Sequence, residues 1–274
     1  MKKHYYLLSL FLVYVHVAFG QSKMDRPTTF EDDFSFAWRQ DKDSIKLIAI
    51  NKLYAPLEII LSSRKTKKEL NSILVKKLDS TVVLQYKSQV LDSLKNYVNE
   101  NLKISYYIGH PSVISPDSTY LYRLPFKKEK KYEVSQGWKG KRTHKGITSQ
   151  YALDFQLDVG EPVYAAREGI VVKVVDWFTK RGGPALRNAA NRIVILHKDG
   201  TMASYVHLRP KGTFVKEGEK VKKGQKIGIS GLTGYTSGPH LHFVVRKERD
   251  ISIPIYFEGY EGRELKMGKR YKIK

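Results

Sequence analysis

Beyond Tyr132 the chain changes texture: glycine recurs between short apolar runs, and the spacing of an amphipathic helix is almost missing. This narrows the fold more than any other feature, because glycine opens turn conformations while short β-branched runs fit a half-buried sheet. Ile193 to Leu196 and Met202 to Leu208 flank Lys198-Asp199-Gly200-Thr201. Asp-Gly between two apolar runs is the strongest short hairpin signal. Val215-Lys216-Glu217-Gly218 and Val221-Lys222-Lys223-Gly224-Gln225 form two similar turn units, and Ile227-Gly228-Ile229-Ser230-Gly231 closes the series. The pattern predicts an all-β domain with tight turns. The basic tail after Asp250 adds one strand-like stretch, Ile253 to Phe257.

Short strands also prevail from Phe34 to Phe126. Leu47 to Ile50, Leu57 to Leu61, Val82 to Leu84 and Ile104 to Ile108 are β-branched or aromatic runs between polar breaks. Tyr120, Tyr122 and Leu124 alternate with Leu121 and Arg123, as in a half-exposed strand. Two short helices are expected among them. One starts at Thr66, with Glu69 completing a capping box, and the other buries Leu91, Leu94 and Val98. Lys127-Lys128-Glu129-Lys130-Lys131 suits either a domain junction or a solvated face.

The N-terminus reads as a secretory signal over residues 1–20. Lys2 and Lys3 precede an apolar stretch from Leu7 to Phe19, and Ala18-Phe19-Gly20 places small residues where a signal peptidase cuts. A retained anchor is the alternative, although the apolar run falls short of the roughly 20 residues that span a bilayer. Cysteine is absent, so neither a disulfide framework nor a lipid-bearing cysteine is possible. Removing the signal leaves 274 − 20 = 254 residues, enough for two domains with their own cores. The expected organisation is a β-rich domain at 21–126, a second β-domain at 127–250 and a basic extension at 251–274. Net charge is +22, or about +20 without Lys2 and Lys3, which favours an anionic partner. For an exported chain, periplasmic or secreted, that partner is an acidic membrane surface or carboxylate-rich peptidoglycan rather than nucleic acid.

Three segments carry chemistry. In Gly238-Pro239-His240-Leu241-His242-Phe243, strand alternation puts His240 and His242 on one face and Leu241 and Phe243 on the other. In Tyr151-Ala152-Leu153-Asp154-Phe155, the apolar face leaves Asp154 opposite, and a carboxylate inside an apolar strand needs a partner or a cation. His144 offers an imidazole on a loop ten residues earlier. Two imidazoles, one carboxylate and an open fourth position match the composition of a catalytic zinc site. In Tyr205-Val206-His207-Leu208, a two-residue Asp199-Gly200 turn would set His207 opposite Arg192, on the face of Tyr205 and Ala203. His197 then falls on the other face as a structural residue, and His110 reads as a surface or turn residue. The stretch from Asp176 to Ala190, with Trp177, Lys180, Arg181 and Arg187, reads as a groove wall or a disordered loop.

The order His144…Asp154, Tyr205-Val206-His207-Leu208 and His240-Leu241-His242-Phe243 resembles the lysostaphin-type zinc metallopeptidases, the LytM-domain family. Gly160-Glu161-Pro162-Val163, Ala165 to Gly169, Asn191, Gly224 to Gly228 and Thr233-Gly234 extend the resemblance over roughly Tyr132 to Arg246. It implies a mainly β chain: a C-terminal antiparallel sheet and barrel-sandwich peptidase domain, preceded by a small β-rich domain. It further implies one Zn²⁺ held by His144, Asp154 and His242, with His207 and His240 as the catalytic pair. His240 would serve as general base and His207 would steady the oxyanion, or the two roles would be exchanged. Many members place the Asp four residues after the first His, so the ten-residue interval reads as a loop insertion. The implied activity is hydrolysis of peptide bonds in peptidoglycan, by default in the stem-peptide cross-bridge. The alternative is a non-catalytic regulator of wall hydrolases, which retention of all five residues opposes. A lipoyl-type carrier would need a lysine at an exposed hairpin tip in a fixed context, which is not evident.

Overall fold

In Ser44–Asn51 half-exposed and buried residues alternate without a break, and Ile45, Leu47 and Ala49 face inward from the same side of the strand. This period of two governs most of the molecule. The computed structural model describes residues 33–87 and 90–274. The expected signal segment, residues 1–20, lies outside them. No helix among the described residues is long and apolar enough to cross a membrane.

The N-terminal strands are β1 (Phe34–Gln40), β2 (Ser44–Asn51), β3 (Leu57–Ser63), β4 (Glu69–Val75) and β5 (Ser80–Lys87), followed by helix α1 (Leu91–Asn101) and β6 (Leu102–Ile108). They form two three-stranded sheets, ordered β1-β2-β5 and β4-β3-β6. Helix α1 buries Leu94 and Val98 against Trp38, Ile45 and Leu47, as its spacing predicts. The helix expected at Thr66 does not form. Ser63 Oγ and Thr66 Oγ1 instead accept backbone N–H groups of a tight turn, Lys67 takes φ +62°, and Glu69 opens β4. β3 has β6 on one edge, and pairing its other edge outweighs a local capping box.

The second region begins with β7 (Leu121–Tyr122), β8 (Tyr132–Gln136), β9 (Leu153–Phe155), β10 (Pro162–Tyr164), β11 (Gly169–Val175) and β12 (Arg181–Gly182). It continues with β13 (Arg192–Leu196), β14 (Met202–Val206), β15 (Leu208–Thr213), β16 (Lys220–Val221) and β17 (Lys226–Ser230), then β18 (Gly234–Tyr235), β19 (Leu241–Arg246), β20 (Tyr256–Phe257) and β21 (Arg270–Tyr271). Eight strands make one sheet, ordered β16-β11-β13-β14-β19-β9-β8-β21, and β10-β17-β15 lie in a separate three-stranded sheet. The chain is therefore mainly β, with a β-rich region ahead of the large sheet. One core joins Tyr122, Leu124 and Phe126, from before the charge run, to Phe155, Phe243 and Tyr205, and to Phe257 and Leu265 from the tail.

The β13–β14 hairpin is one residue off the expected register. Arg192 pairs with Val206 rather than with His207, because the connection holds three residues, Lys198 to Gly200. Gly200 takes φ +83° there, and a Cβ at that position would meet the backbone carbonyl of Val113 at 2.7 Å. The slip exchanges faces. Tyr205 and Ala203 lie in the core beside Ile193 and Ile195, while Val206, Ser204 and Arg192 face a groove.

Candidate metal centre and groove

The large sheet sets a polar row across its open face. Register places Gln136 beside Asp154, Asp154 beside His242, His242 beside Val206 and Val206 beside Arg192. Leu153, Phe155, Leu241 and Phe243 fill the core behind, so alternation alone turns Asp154 and His242 into the groove. The groove encloses about 820 Å³.

Three donor atoms converge at its floor, two from the lining residues Asp154 and His242 and one from His144 buried beside them. Asp154 Oδ1 lies 2.8 Å from His242 Nδ1 and 3.2 Å from His144 Nε2, and the three ligand atoms fall within 4.8 Å of one another. His144 Nδ1–H donates to the Gly137 carbonyl at 2.9 Å, which turns Nε2 toward Asp154; burial lowers the His144 pKa, but the Asp154 carboxylate outweighs it and raises it overall. That Nε2 is fully buried and, despite its closeness to Asp154, makes no well-directed hydrogen bond. A buried ring nitrogen aimed at a carboxylate without a hydrogen bond is costly unless something positive sits between them. Two ligands bound to a tetrahedral zinc at 2.0–2.1 Å stand roughly 3.3 Å apart, close to the spacing found here. The donor set fits a zinc ion. Burial alone would raise the Asp154 carboxyl, but the flanking His144 and His242 outweigh it and hold it well below the usual carboxylate range.

Gln136 locks this arrangement. Its Nε2 donates to Asp154 Oδ2 at 3.0 Å and to Thr143 Oγ1 at 2.7 Å, while its Oε1 accepts the N–H groups of Arg142 and Thr143. One side chain thus ties the loop bearing His144 to the carboxylate. Trp138 packs edge-on against Tyr151 and steadies the loop's base. The ten-residue interval between His144 and Asp154 is spanned by this braced loop, and His144 points inward, 0% exposed. Gln136 escaped the sequence reading, although a signal was present. It ends the buried series Tyr132, Val134, Gln136, where an amide needs a partner as much as Asp154 does.

His207 and His240 line the same groove, with ring centroids 4.6 Å apart. His240 Nδ1–H donates to the Gly238 carbonyl at 2.9 Å, leaving Nε2 3.8 Å from Asp154 Oδ1. His207 Nδ1–H donates to the Thr233 carbonyl at 2.7 Å. Strand alternation would send His207 into the core, but its backbone takes φ +67°, a left-handed conformation that returns the ring to the groove. The expectation that His207 shares the face of Tyr205 is thereby corrected; the ring lines the groove beside His240. Thr233 Oγ1 donates to the Leu208 carbonyl and accepts the Asn191 N–H, and Asn191 Nδ2 donates to the Phe178 carbonyl. Gly231 lets this loop cross so close that a Cβ would meet Arg209 N at 2.3 Å. Burial pushes His207 down to about 3, helped by the charges of His240 and His242, so the ring is neutral at physiological pH.

The remaining histidines lie elsewhere. His197 is buried under Tyr122 with Nδ1–H on the Glu168 carbonyl, a structural residue as expected. His110 caps a turn through Ser112 and reaches Ser72. The segment from Asp176 to Ala190 is an ordered wall, not a disordered loop: Arg181 and Gly182 pair with Gly234 and Tyr235, and Arg187, Asn188 and Ala190 line the groove.

A β-sheet groove holding a His-Asp-His donor set narrows the class to metal-site β proteins, and the comparisons name the family. Residues 148–254 match the family model described as Peptidase family M23. Over 118 residues the chain is 36% identical to peptidoglycan DD-endopeptidase ShyA of Vibrio cholerae, covering 42% of this chain and 25% of that protein. Over 96 residues it is 41% identical to glycyl-glycine endopeptidase ALE-1 of Staphylococcus capitis, covering 35% of this chain and 24% of that protein. The catalytic domain of lysostaphin from Staphylococcus simulans aligns at 32% identity over 44% of this chain and 80% of that domain, with a TM-score of 0.30. The chain spans about a quarter of the length of these two curated relatives. Residues 148–254 belong to Peptidase family M23, the lysostaphin-type metallopeptidases. The matched span contains Asp154, His207, His240 and His242 and begins after His144.

Proposed function

We propose that this chain is a zinc metalloendopeptidase that acts outside the cytoplasm on peptide bonds of bacterial peptidoglycan, by default in stem-peptide cross-bridges. The reading rests on one juxtaposition: a His144-Asp154-His242 donor cluster and two further imidazoles, each steered by a backbone carbonyl, facing one groove. The relatives' names, peptidoglycan DD-endopeptidase and glycyl-glycine endopeptidase, support the substrate class. The basic chain suits a carboxylate-rich wall.

His144, Asp154 and His242 would hold the zinc, which when bound supplies Lewis acidity for a scissile carbonyl and acidifies water to a pKa of about 7. His240 Nε2, 3.8 Å from Asp154 Oδ1, takes the proton of the attacking water and returns it to the leaving amine. Gly238 and Thr236 hold its ring so that Nε2 stays forward. His207, donating Nδ1–H to the Thr233 carbonyl, presents Nε2 to the water or the developing oxyanion. Gln136 keeps Asp154 and the His144 loop in register.

Two substitutions test this reading. His242→Ala removes stoichiometric zinc, whereas His240→Ala keeps zinc and lowers hydrolysis of purified sacculi by about 10²–10⁴-fold. Wild-type protein that binds no zinc and releases no cross-linked muropeptide would refute it. Mass analysis of the released fragments identifies the bond cut.

A further inference from the structure

Arg246 lies on the same face of β19 as His242, four residues along, or roughly 13 Å at about 3.4 Å per residue. It marks the end of the groove where Met202, Asp250 and Ile108 of β6 close the wall. Its Nε donates to the Thr148 carbonyl at 2.7 Å and its Nη1 to Ser204 Oγ at 3.3 Å. Among the described residues no carboxylate comes within 4.0 Å of it, and Nη2 has no hydrogen-bond acceptor. Other cations here are answered differently. Arg249 is bonded to Glu58 and Glu69, Arg167 meets Asp199 at 2.8 Å, and Lys173 meets Asp33 at 2.6 Å.

A guanidinium is rarely left half-buried without an anion, because its five N–H groups and fixed charge lose water and gain little in return. The position is more costly still because Arg192 shares the groove floor. Burial lowers the pKa of Arg192 and the charge of Arg246 lowers it further, outweighing the opposite pull of Asp33 and Asp250; for Arg246 too, burial outweighs the pull of Asp250. Two like charges on the floor of one cleft repel; Asp250, at the same groove end but farther than 4.0 Å from Arg246, offsets part of this, and a substrate anion in contact with Arg246 would offset the rest. The peptides of peptidoglycan carry free carboxylates at chain ends and on side chains, which fits a cationic pocket set apart from the bond to be cut. At about 3.3 Å per extended residue, Arg246 lies some three to four residues from a peptide bond held at His240 and His242.

We propose that Arg246, with Arg192 contributing charge, forms a subsite for a carboxylate of the peptide substrate, at the groove end walled by the N-terminal strands. This rests on the peptidase reading above but concerns recognition rather than bond cleavage, and binding tests it separately. The probe is a cross-linked muropeptide dimer with free carboxylates, compared with the same dimer after chemical amidation. Binding is measured by calorimetry on the full chain loaded with zinc and carrying His240→Ala, so that no hydrolysis intervenes. The free-carboxylate dimer binds about 10-fold tighter or more, as a charge-assisted pair at a partly desolvated site provides. Adding Arg246→Gln brings the two dimers to within about twofold, while Arg246→Lys keeps an intermediate preference because the charge survives without the fork. Equal binding of the two dimers by the unaltered Arg246 protein, binding of neither, or a preference that survives Arg246→Gln overturns the subsite. The amidation comparison leaves the protein untouched, so it decides even where an Arg246 variant folds poorly. Carboxylate-selective binding without any hydrolysis by the wild-type chain would sink the catalytic reading and leave the subsite standing.

Discussion

The two halves of the molecule bury polar groups in opposite ways. In the N-terminal sheets, Asn51 and Glu58 are hidden but fully answered. Asn51 Nδ2 donates to the carbonyls of Ala55 and Lys76, and Glu58 accepts from Ser72 and from two nitrogens of Arg249. Beside the large sheet, His144, His207 and His240 are each tied by one nitrogen to a backbone carbonyl; His207 and His240 line the groove, and the second nitrogen of His144 is turned to Asp154 Oδ1 at 3.2 Å. A closed network spends its polar groups on structure, while a half-open one keeps donors and acceptors ready for something outside the chain. Burial of polar atoms does not by itself mark a site; burial with one hand free beside a groove does.

The comparison is sharpest at His197, just past β13, whose Nδ1–H donates to the Glu168 carbonyl while its Nε2, also without a partner, is sealed in the interior instead of facing a groove. His197 is 3% exposed and burial pushes it down to about 4 from an ordinary 6.5. As pH falls below about 6.5 the unfolded chain takes up a proton that the folded chain refuses, so stability drops and levels off below about pH 4. The loss is about 3 kcal/mol at most, by the usual conversion of a pKa difference. Urea unfolding between pH 7 and pH 4 measures it, and His197→Gln should flatten that part of the profile while leaving zinc content at pH 7 intact. An unchanged acid profile would remove His197 as its source.

Next comes the brace. Gln136→Ala frees the loop bearing His144, and zinc affinity should fall about 10–100-fold, read by competition with a chelator, while far-UV dichroism stays the same. Unaltered affinity would mean that the loop holds itself. The smallest effect belongs to the closed network: Glu58→Ala strips Arg249 of its main partner. Arg249 retains Glu69 and water, so the cost in denaturant unfolding should be about 1–2 kcal/mol with zinc stoichiometry preserved. Loss of zinc in that variant would break the separation between the two halves.

Much of this was readable from side-chain types and spacing. The apolar faces of Leu153-Asp154-Phe155 and Leu241-His242-Phe243 oblige Asp154 and His242 to face the same way once their strands pair, and they do. The spacing of Leu94 and Val98 likewise gives α1 its buried stripe. What failed was decided by tertiary partners or by single backbone angles. Thr66 and Glu69 look like the start of a helix until the free edge of β3 recruits Glu69–Val75 as a strand. The Asp199-Gly200 turn has one residue more than the simplest hairpin, which shifts every facing by one, and only the turn of the backbone at His207 returns its ring to the groove. Gln136 and Arg246 stay hidden in the sequence because their meaning lies in what they meet: Asp154, 18 residues on, and a groove built from several strands.

The left-handed backbone at residue 207 has an evolutionary corollary. A side chain with a Cβ pays about 1 kcal/mol or more to sit there, which glycine would not. Selection for sturdiness alone would therefore discard the imidazole, and drift toward Gly or Asn at this position would be an early scar of a lineage that had stopped using its groove.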